Sequence, residues 1–182
     1  RVLDGYLKTT KHDHALMALY RLAEDVGALQ NARQYTDMTQ ALIIAGFGQE
    51  AERVMQKGID ASLFAGDEAT RAKRTIDAAK RKADAERAAL PKAASALAAA
   101  KTGNEMEKVG ELYFSAGDYV NASAALQKAV AKGGLSDADS AQMLLGIALK
   151  RKGDKANATK AFDLVKEPQF AEIAKLWKIA AR

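Results

Sequence analysis

The chain has no cysteine, which excludes a disulfide framework, a thiolate metal site and a cysteine nucleophile, and which fits a reducing or an oxidising compartment equally. It has only two prolines and few aromatic residues, and no apolar run approaches the roughly 18 residues that a membrane-spanning helix needs. No stretch alternates with the two-residue period of a strand. The abundant alanine, lysine, glutamate and leucine therefore predict an all-helical fold.

An excess of charge of one sign is found only near the C-terminus. The formal net charge is +5, and residues 150–182 alone carry nine Lys or Arg against four Asp or Glu. These charges are interleaved, which favours a solvated polar face on the closing helices over a docking patch for an acidic partner. The chain begins at Arg1, so we expect a processed or excised chain, with any targeting segment outside this sequence.

Two segments repeat one pattern of small and large residues at a spacing of 36. The first consists of Met106, Val109, Gly110, Tyr113, Gly117, Asp118, Tyr119, Ala122, Leu126 and Ala129. The second consists of Gln142, Leu145, Gly146, Leu149, Gly153, Asp154, Lys155, Ala158, Phe162 and Val165. The pattern resembles the tetratricopeptide repeat (TPR), whose period is about 34 residues. The Gly133-Gly134 insertion accounts for the longer spacing.

Each repeated position has a physical reason. We expect Gly110 and Gly146 where the first helix of a unit packs closely on the second, with Ala122 and Ala158 receiving that contact. Large side chains fill the surrounding space, namely Tyr113, Leu126, Leu149 and Phe162.

The helix ends are marked as well. Gly117 and Gly153 can end the first helices in the left-handed conformation, and Asp118 and Asp154 can cap the second helices. The first helices begin at capping boxes or close variants of them, Thr102 with Glu105 and Ser136 with Asp139.

The resemblance implies one right-handed superhelical α-solenoid of antiparallel helix pairs across residues 1–182. A weaker copy of the pattern runs from Tyr35 to Met55, and Pro91 ends a long charged helix over residues 68–90. Trp177 is expected in the core of a closing helix that covers the last exposed face. The expected segments are degenerate helices over 1–32, a TPR-like unit over 33–66, an irregular hairpin with a long first arm over 67–101, TPR units over 103–136 and 139–167, and a capping helix over 168–182.

Residues with catalytic or cofactor chemistry are few. His12 and His14 are the only histidines, and an exposed helix start explains them better than a metal site. The Gly46-Phe47-Gly48 run follows no strand, so it is interpreted as a turn between helices and not as a dinucleotide site. The mixed charge of the long helix, without aromatic residues, argues against nucleic acid. We therefore expect no enzyme, no cofactor and no metal.

Arrays of this family bind peptides or partner helices on a concave wall formed by the first helices of the units. The resemblance places the groove at Gln40, Ile43, Ile44, Glu107, Glu111, Phe114, Met143, Ile147, Lys150 and Arg151. Glu107 and Glu111 would repel a carboxylate, so no clamp for a C-terminal carboxylate is expected. Whether the apolar members are open, or are covered by a neighbouring helix or by the helix over 68–90, stays undecided by the sequence.

The prediction for function is a non-enzymatic protein–protein interaction module with a scaffold or assembly role. The alternative is a self-associating structural protein, paired through its N-terminal edge or through the helix over 68–90. An enzyme domain ranks below both. The overall run is also similar to exported repeat proteins of Gram-negative bacteria, which favours the periplasm and leaves the cytoplasm open.

Overall fold

The computed structural model describes Gly5 and residues 13–181, and every regular element in that part is helical. The helices are α1 (Asp13–Asp25), α2 (Ala32–Ala45), α3 (Gly48–Asp60), α4 (Asp67–Ala89), a 3₁₀ turn (Leu90–Lys92), α5 (Ala93–Ala99), α6 (Gly103–Ala116), α7 (Tyr119–Lys132), α8 (Ala138–Arg151), α9 (Lys155–Asp163) and α10 (Pro168–Ala180). The all-helical prediction is confirmed for these residues. The part of the degenerate helices expected over 1–32 that precedes Asp13 lies outside them except for Gly5, as does Arg182.

None of the helices between residues 13 and 181 is both long enough and apolar enough to cross a bilayer. This agrees with the absence of a long apolar run in the sequence.

Consecutive helices pack as pairs, α2 on α3, α6 on α7 and α8 on α9, and α7 also packs on α8. Two glycines allow the close approach within pairs. A Cβ atom on Gly110 would lie 2.7 Å from Leu126 Cγ, and one on Gly146 would lie 2.4 Å from Phe162 Cε1. The structure corrects one detail, because the large side chains at 126 and 162 receive these glycines. The alanines expected there, Ala122 and Ala158, are fully buried.

Helix caps repeat along with the packing. Gly117 and Gly153 adopt left-handed φ values of +82° and +94°. Asp118 and Asp154 then accept hydrogen bonds from the backbone N–H groups three residues on, and so cap α7 and α9. The same spacing recurs because the two turns have the same sequence requirements.

The capping box of Thr102 and Glu105 is present at the start of α6. The box expected at Ser136 and Asp139 is not formed. Asp137 caps α8 by accepting from Ser140 N, and Asp139 instead accepts from the backbone N–H of Lys166, in the loop before α10. An aspartate has a shorter reach than a glutamate, so the reciprocal bond of a capping box is harder for it to make.

The segment expected to form an irregular hairpin is arranged differently. Helix α4 packs on α3 and α2, whereas α5 packs on α6 and does not fold back along α4. Pro91 lies in the 3₁₀ turn, where the backbone at Leu90 and Ala93 stays in the right-handed helical region. Only Ala93 of α5 is buried. The alanine side chains of α5 are small, so the helix has little apolar surface to pack against α4.

Helix α8 lies at the centre, and every residue from Ala141 to Leu149 is buried. It packs on α7, α9, α10 and α1. Trp177 of α10 is fully buried and stacks on Phe162 with ring centroids 6.0 Å apart, which confirms the core interpretation of this residue. Its indole Nε1 donates to the Ala18 carbonyl oxygen of α1 at 3.0 Å. Helix α1 therefore joins the beginning of the described chain to its end.

Candidate functional site: the face covered by helix α1

Three of the apolar residues predicted to line a groove lie under α1. Phe114, Met143 and Ile147 are at most 1% exposed. The guanidinium of Arg21 lies 4.8 Å from the centroid of the Phe114 ring. Met143 and Ile147 border the same small cavity as Met17 of α1. These three residues are therefore not on an open surface, and the helix that covers them is α1 and not the long helix α4.

Helix α1 is suited to this position by its sequence. Its apolar residues surround the helix, and eight of its thirteen residues are buried, including Arg21. An arginine within an apolar helix is costly to bury unless its charge is compensated. The sequence analysis missed this residue. An arginine within an apolar helical segment was a signal that a carboxylate partner lies opposite it.

The partner of Arg21 is Glu50 in the first turn of α3. Arg21 Nε donates to Glu50 Oε1 at 3.0 Å, and an Arg21 terminal nitrogen donates to Oε2 at 2.7 Å. The guanidinium also lies 4.4 Å from the centroid of the Phe47 ring. Burial alone would raise the pKa of Glu50, but attraction by Arg21 and Arg151 and hydrogen bonds from Arg21 lower it below its ordinary value. The pair is thus charged at neutral pH.

The C-terminal end of α1 carries two acids that face two bases of α8. Lys150 forms an ion pair with Asp25, and Arg151 pairs with Glu24 at 3.2 Å. Burial would lower the pKa of Arg151, but attraction by Glu50 and other nearby acids raises it. Lys150 and Arg151 thus belong to the predicted face and contact α1. Together with neighbouring side chains they border a polar cleft of about 490 Å³.

Two further predicted residues, Glu107 and Glu111, lie on α6, and Glu111 borders the same cavity as His14 of α1. Partial burial, with repulsion from Glu111 and Asp137, raises the pKa of Glu107 to about 7. Burial also raises the pKa of Glu111, although Arg21 and His14 oppose that shift. His14 Nδ1 lies 3.2 Å from Asp137 Oδ2. Glu111 thus lies beside α1, in the same cavity as His14 and Arg21.

The remaining predicted residues, all on α2, lie at the edge of this face. Ile44 is 86% exposed, Gln40 is exposed, and Ile43 is half-buried against the core. Gln40 and Ile44 line a second groove of about 570 Å³ between α1 and α2, together with Tyr20. The ten predicted residues are therefore divided between a face filled by α1 and an open groove beside it.

Gly46-Phe47-Gly48 is the turn between α2 and α3, as the sequence indicated. Gly46 adopts a left-handed φ of +86°, and a Cβ atom on Gly48 would lie 2.5 Å from Ala83 N of α4. Phe47 provides no side-chain cap. The Glu86 carboxylate of α4 accepts from the backbone N–H groups of Gly48 and Gln49 at 2.6 and 2.9 Å instead. Gly46 thus allows the turn, and Gly48 allows α3 to pack closely on α4.

Within residues 13–181 no group of three or more His, Asp or Glu side chains is arranged to hold a metal ion. His12 lies outside this part of the chain. No family model, no curated protein and no solved structure matches the chain.

Proposed function

We propose that the protein is a non-enzymatic protein-interaction module, a right-handed superhelical solenoid of TPR-like helix pairs whose inner face binds a largely apolar helix. One observation carries this proposal. The predicted inner-face residues Phe114, Met143, Ile147, Lys150 and Arg151 all surround a single helix, α1. A helix in a groove is one of the recurring modes of peptide recognition.

The chemistry of the face defines the helix that fits. Its centre is apolar and accepts small and medium side chains such as Ala18 and Met17. Glu50 lies below the middle of the bound helix and requires a basic residue there. Lys150 and Arg151 lie at the C-terminal end of that helix and require acids. A partner helix is therefore expected to be apolar, with one central arginine and a C-terminal acidic pair.

In the described structure the chain's own α1 has this role. An attached helix competes at an effective concentration in the millimolar range. A partner helix therefore binds only when it outcompetes α1 or when α1 is weakened. This makes α1 an intramolecular occupant that sets the threshold for binding.

The test uses the full chain and a fluorescent peptide of residues 13–30 as the partner helix. In the variant Arg21→Gln the chain's own α1 loses its bidentate contact to Glu50, while the peptide keeps the arginine. We expect this variant to bind the peptide about tenfold more tightly than the unmodified chain, as measured by fluorescence anisotropy. Circular dichroism verifies that the variant retains its helicity.

The matched control is Arg33→Gln, which removes an arginine whose side chain is 88% exposed. It should bind the peptide as weakly as the unmodified chain. The gain in affinity should disappear when the peptide itself carries Arg21→Gln. Equal binding of the peptide by all three chains, or no binding by any, would refute the proposal.

A further inference from the structure

Besides the Arg21–Glu50 pair with α3, several contacts that hold α1 are made with helices far away in the sequence. Ala18 accepts a hydrogen bond from Trp177, Asp25 pairs with Lys150, and His14 contacts Asp137. These partners are 123 to 159 residues apart in the sequence. The surface that receives α1 is therefore formed by the rest of the chain, and an α1 from any source would meet the same atoms.

The segment that joins α1 to α2, residues 26–31, is short and mostly exposed. Val26 is 51% exposed, and Leu29 is the member that is buried. Gly27 turns the chain with a left-handed φ of +69°, and a Cβ atom there would meet nothing within 4 Å. Asn31 caps α2 by accepting from Gln34 N. Gly27 thus allows the chain to turn after α1, and the connection over residues 26–31 is the hinge at which α1 can exchange between copies.

We infer that α1 exchanges between two copies of this chain, so that the helix on each inner face is Asp13–Asp25 of the other copy. This inference rests on the proposed function, since it requires that the face bind a helix supplied by another molecule. It differs from the sequence-based alternative, in which the N-terminal edge or the long helix α4 forms a new contact. Exchange creates no new interface, because the ion pairs of α1 are formed again between copies. The dimer is then in equilibrium with the monomer and depends on protein concentration.

The test exploits the ion pair between Asp25 and Lys150. In Asp25→Lys two bases face each other within one chain, and in Lys150→Glu two acids do. Neither variant can pair its own α1 with its own α8. In a mixture, exchange places the altered helix on the altered face and the natural helix on the natural face. Both ion pairs are then restored in one heterodimer.

We expect the equimolar mixture to show twice the monomer mass by light scattering and a melting temperature close to that of the unmodified chain. Each variant alone should melt at a lower temperature. The double variant Asp25→Lys/Lys150→Glu restores the pair within one chain and should behave as the unmodified chain does. A mixture that keeps the monomer mass and the lowered melting temperatures would overturn the inference.

A second pair of variants keeps the test decisive if the charge variants fail to fold. Gly27→Ala strains the reversal after α1, and opening the connection relieves that strain. We expect a dimer association constant roughly tenfold or more above that of the unmodified chain, because two connections are relieved in each dimer. Gly46→Ala introduces the same left-handed strain, with nothing within 4 Å, in the turn between α2 and α3.

The Gly46→Ala control should leave the dimer association constant unchanged. Equal effects of the two alanines would overturn the inference. If the chain binds the labelled peptide of residues 13–30 while the mixture of charge variants and the Gly27→Ala variant stay monomeric, the proposed function stands and exchange alone is refuted.

Discussion

Replacing Glu50 with glutamine tests whether the buried charge cluster holds α1 in place. Glu50 is 2% exposed, and its carboxylate compensates Arg21 and, at 3.4 Å, Arg151. Breaking a buried ion pair from one side costs about 3–5 kcal/mol, because the remaining charge stays buried without a counter-ion. Glutamine can still accept one hydrogen bond from Arg21, so we expect a loss near the lower end, about 3 kcal/mol.

For a chain of 182 residues, a loss of this size lowers the melting temperature by about 6–12 °C. Urea unfolding followed by circular dichroism at pH 7 measures the free energy directly. The matched control is Glu52→Gln on the same helix. Glu52 pairs with Arg87 near the surface, where an ion pair contributes about 0–1 kcal/mol.

The effect should also depend on pH. Because the pKa of Glu50 is lowered in the folded state, its contribution to stability is present above its ordinary value and is lost as the pH falls through the folded value. The difference between the unmodified chain and Glu50→Gln should therefore be largest at neutral pH and shrink in acid. Equal losses below about 1 kcal/mol for the two glutamines at pH 7 would refute the assigned role of the cluster.

Three further changes probe other parts of the structure. At pH 8, Glu107→Gln should stabilise the protein by roughly 1 kcal/mol, because this carboxyl is half-buried and its pKa is raised. The unmodified chain gains stability as the pH falls through about 7, and the variant should lack that gain. Unfolding at pH 5 and pH 8 measures both effects. Gly146→Ala should cost about 1–3 kcal/mol in urea unfolding, because its methyl group would overlap Phe162, and an unchanged midpoint would contradict the packing described. Glu86→Ala should cost about 1–2 kcal/mol and speed amide exchange at Gly48 and at the following residue, because it removes the cap of α3; unchanged exchange rates there would count against it.

Local features were predictable because nearby residues decide them. Gly117 and Asp118 end one helix and cap the next through hydrogen bonds that reach only three or four residues. The close approach of Gly110 to its partner helix follows from the same short-range pattern. The prediction was less accurate at 67–101, where Pro91 indicated a break but could not show that the next helix would pack on α6.

The sequence grouped several residues of the candidate face, but it did not show what covers them. The repeat pattern selected Phe114, Met143 and Arg151 as members of one face, and the structure places them around α1. That pattern gives no indication of what lies on the face. The cap from Glu86 to α3 was missed for a related reason, since a carboxylate 38 residues away has no fixed spacing from the helix that it caps.

The sequence by itself determined that the chain is helical and where the repeated helices are capped. Those properties depend on backbone preferences, caps and contacts between neighbours along the chain. Only the tertiary structure decided that α1 covers Met143 and Ile147, with Arg21 on Glu50 and Trp177 on Ala18. The burial of a helix on a distant surface is set by shape and charge over the whole fold. Its energy depends on groups that are adjacent in space and remote in the chain.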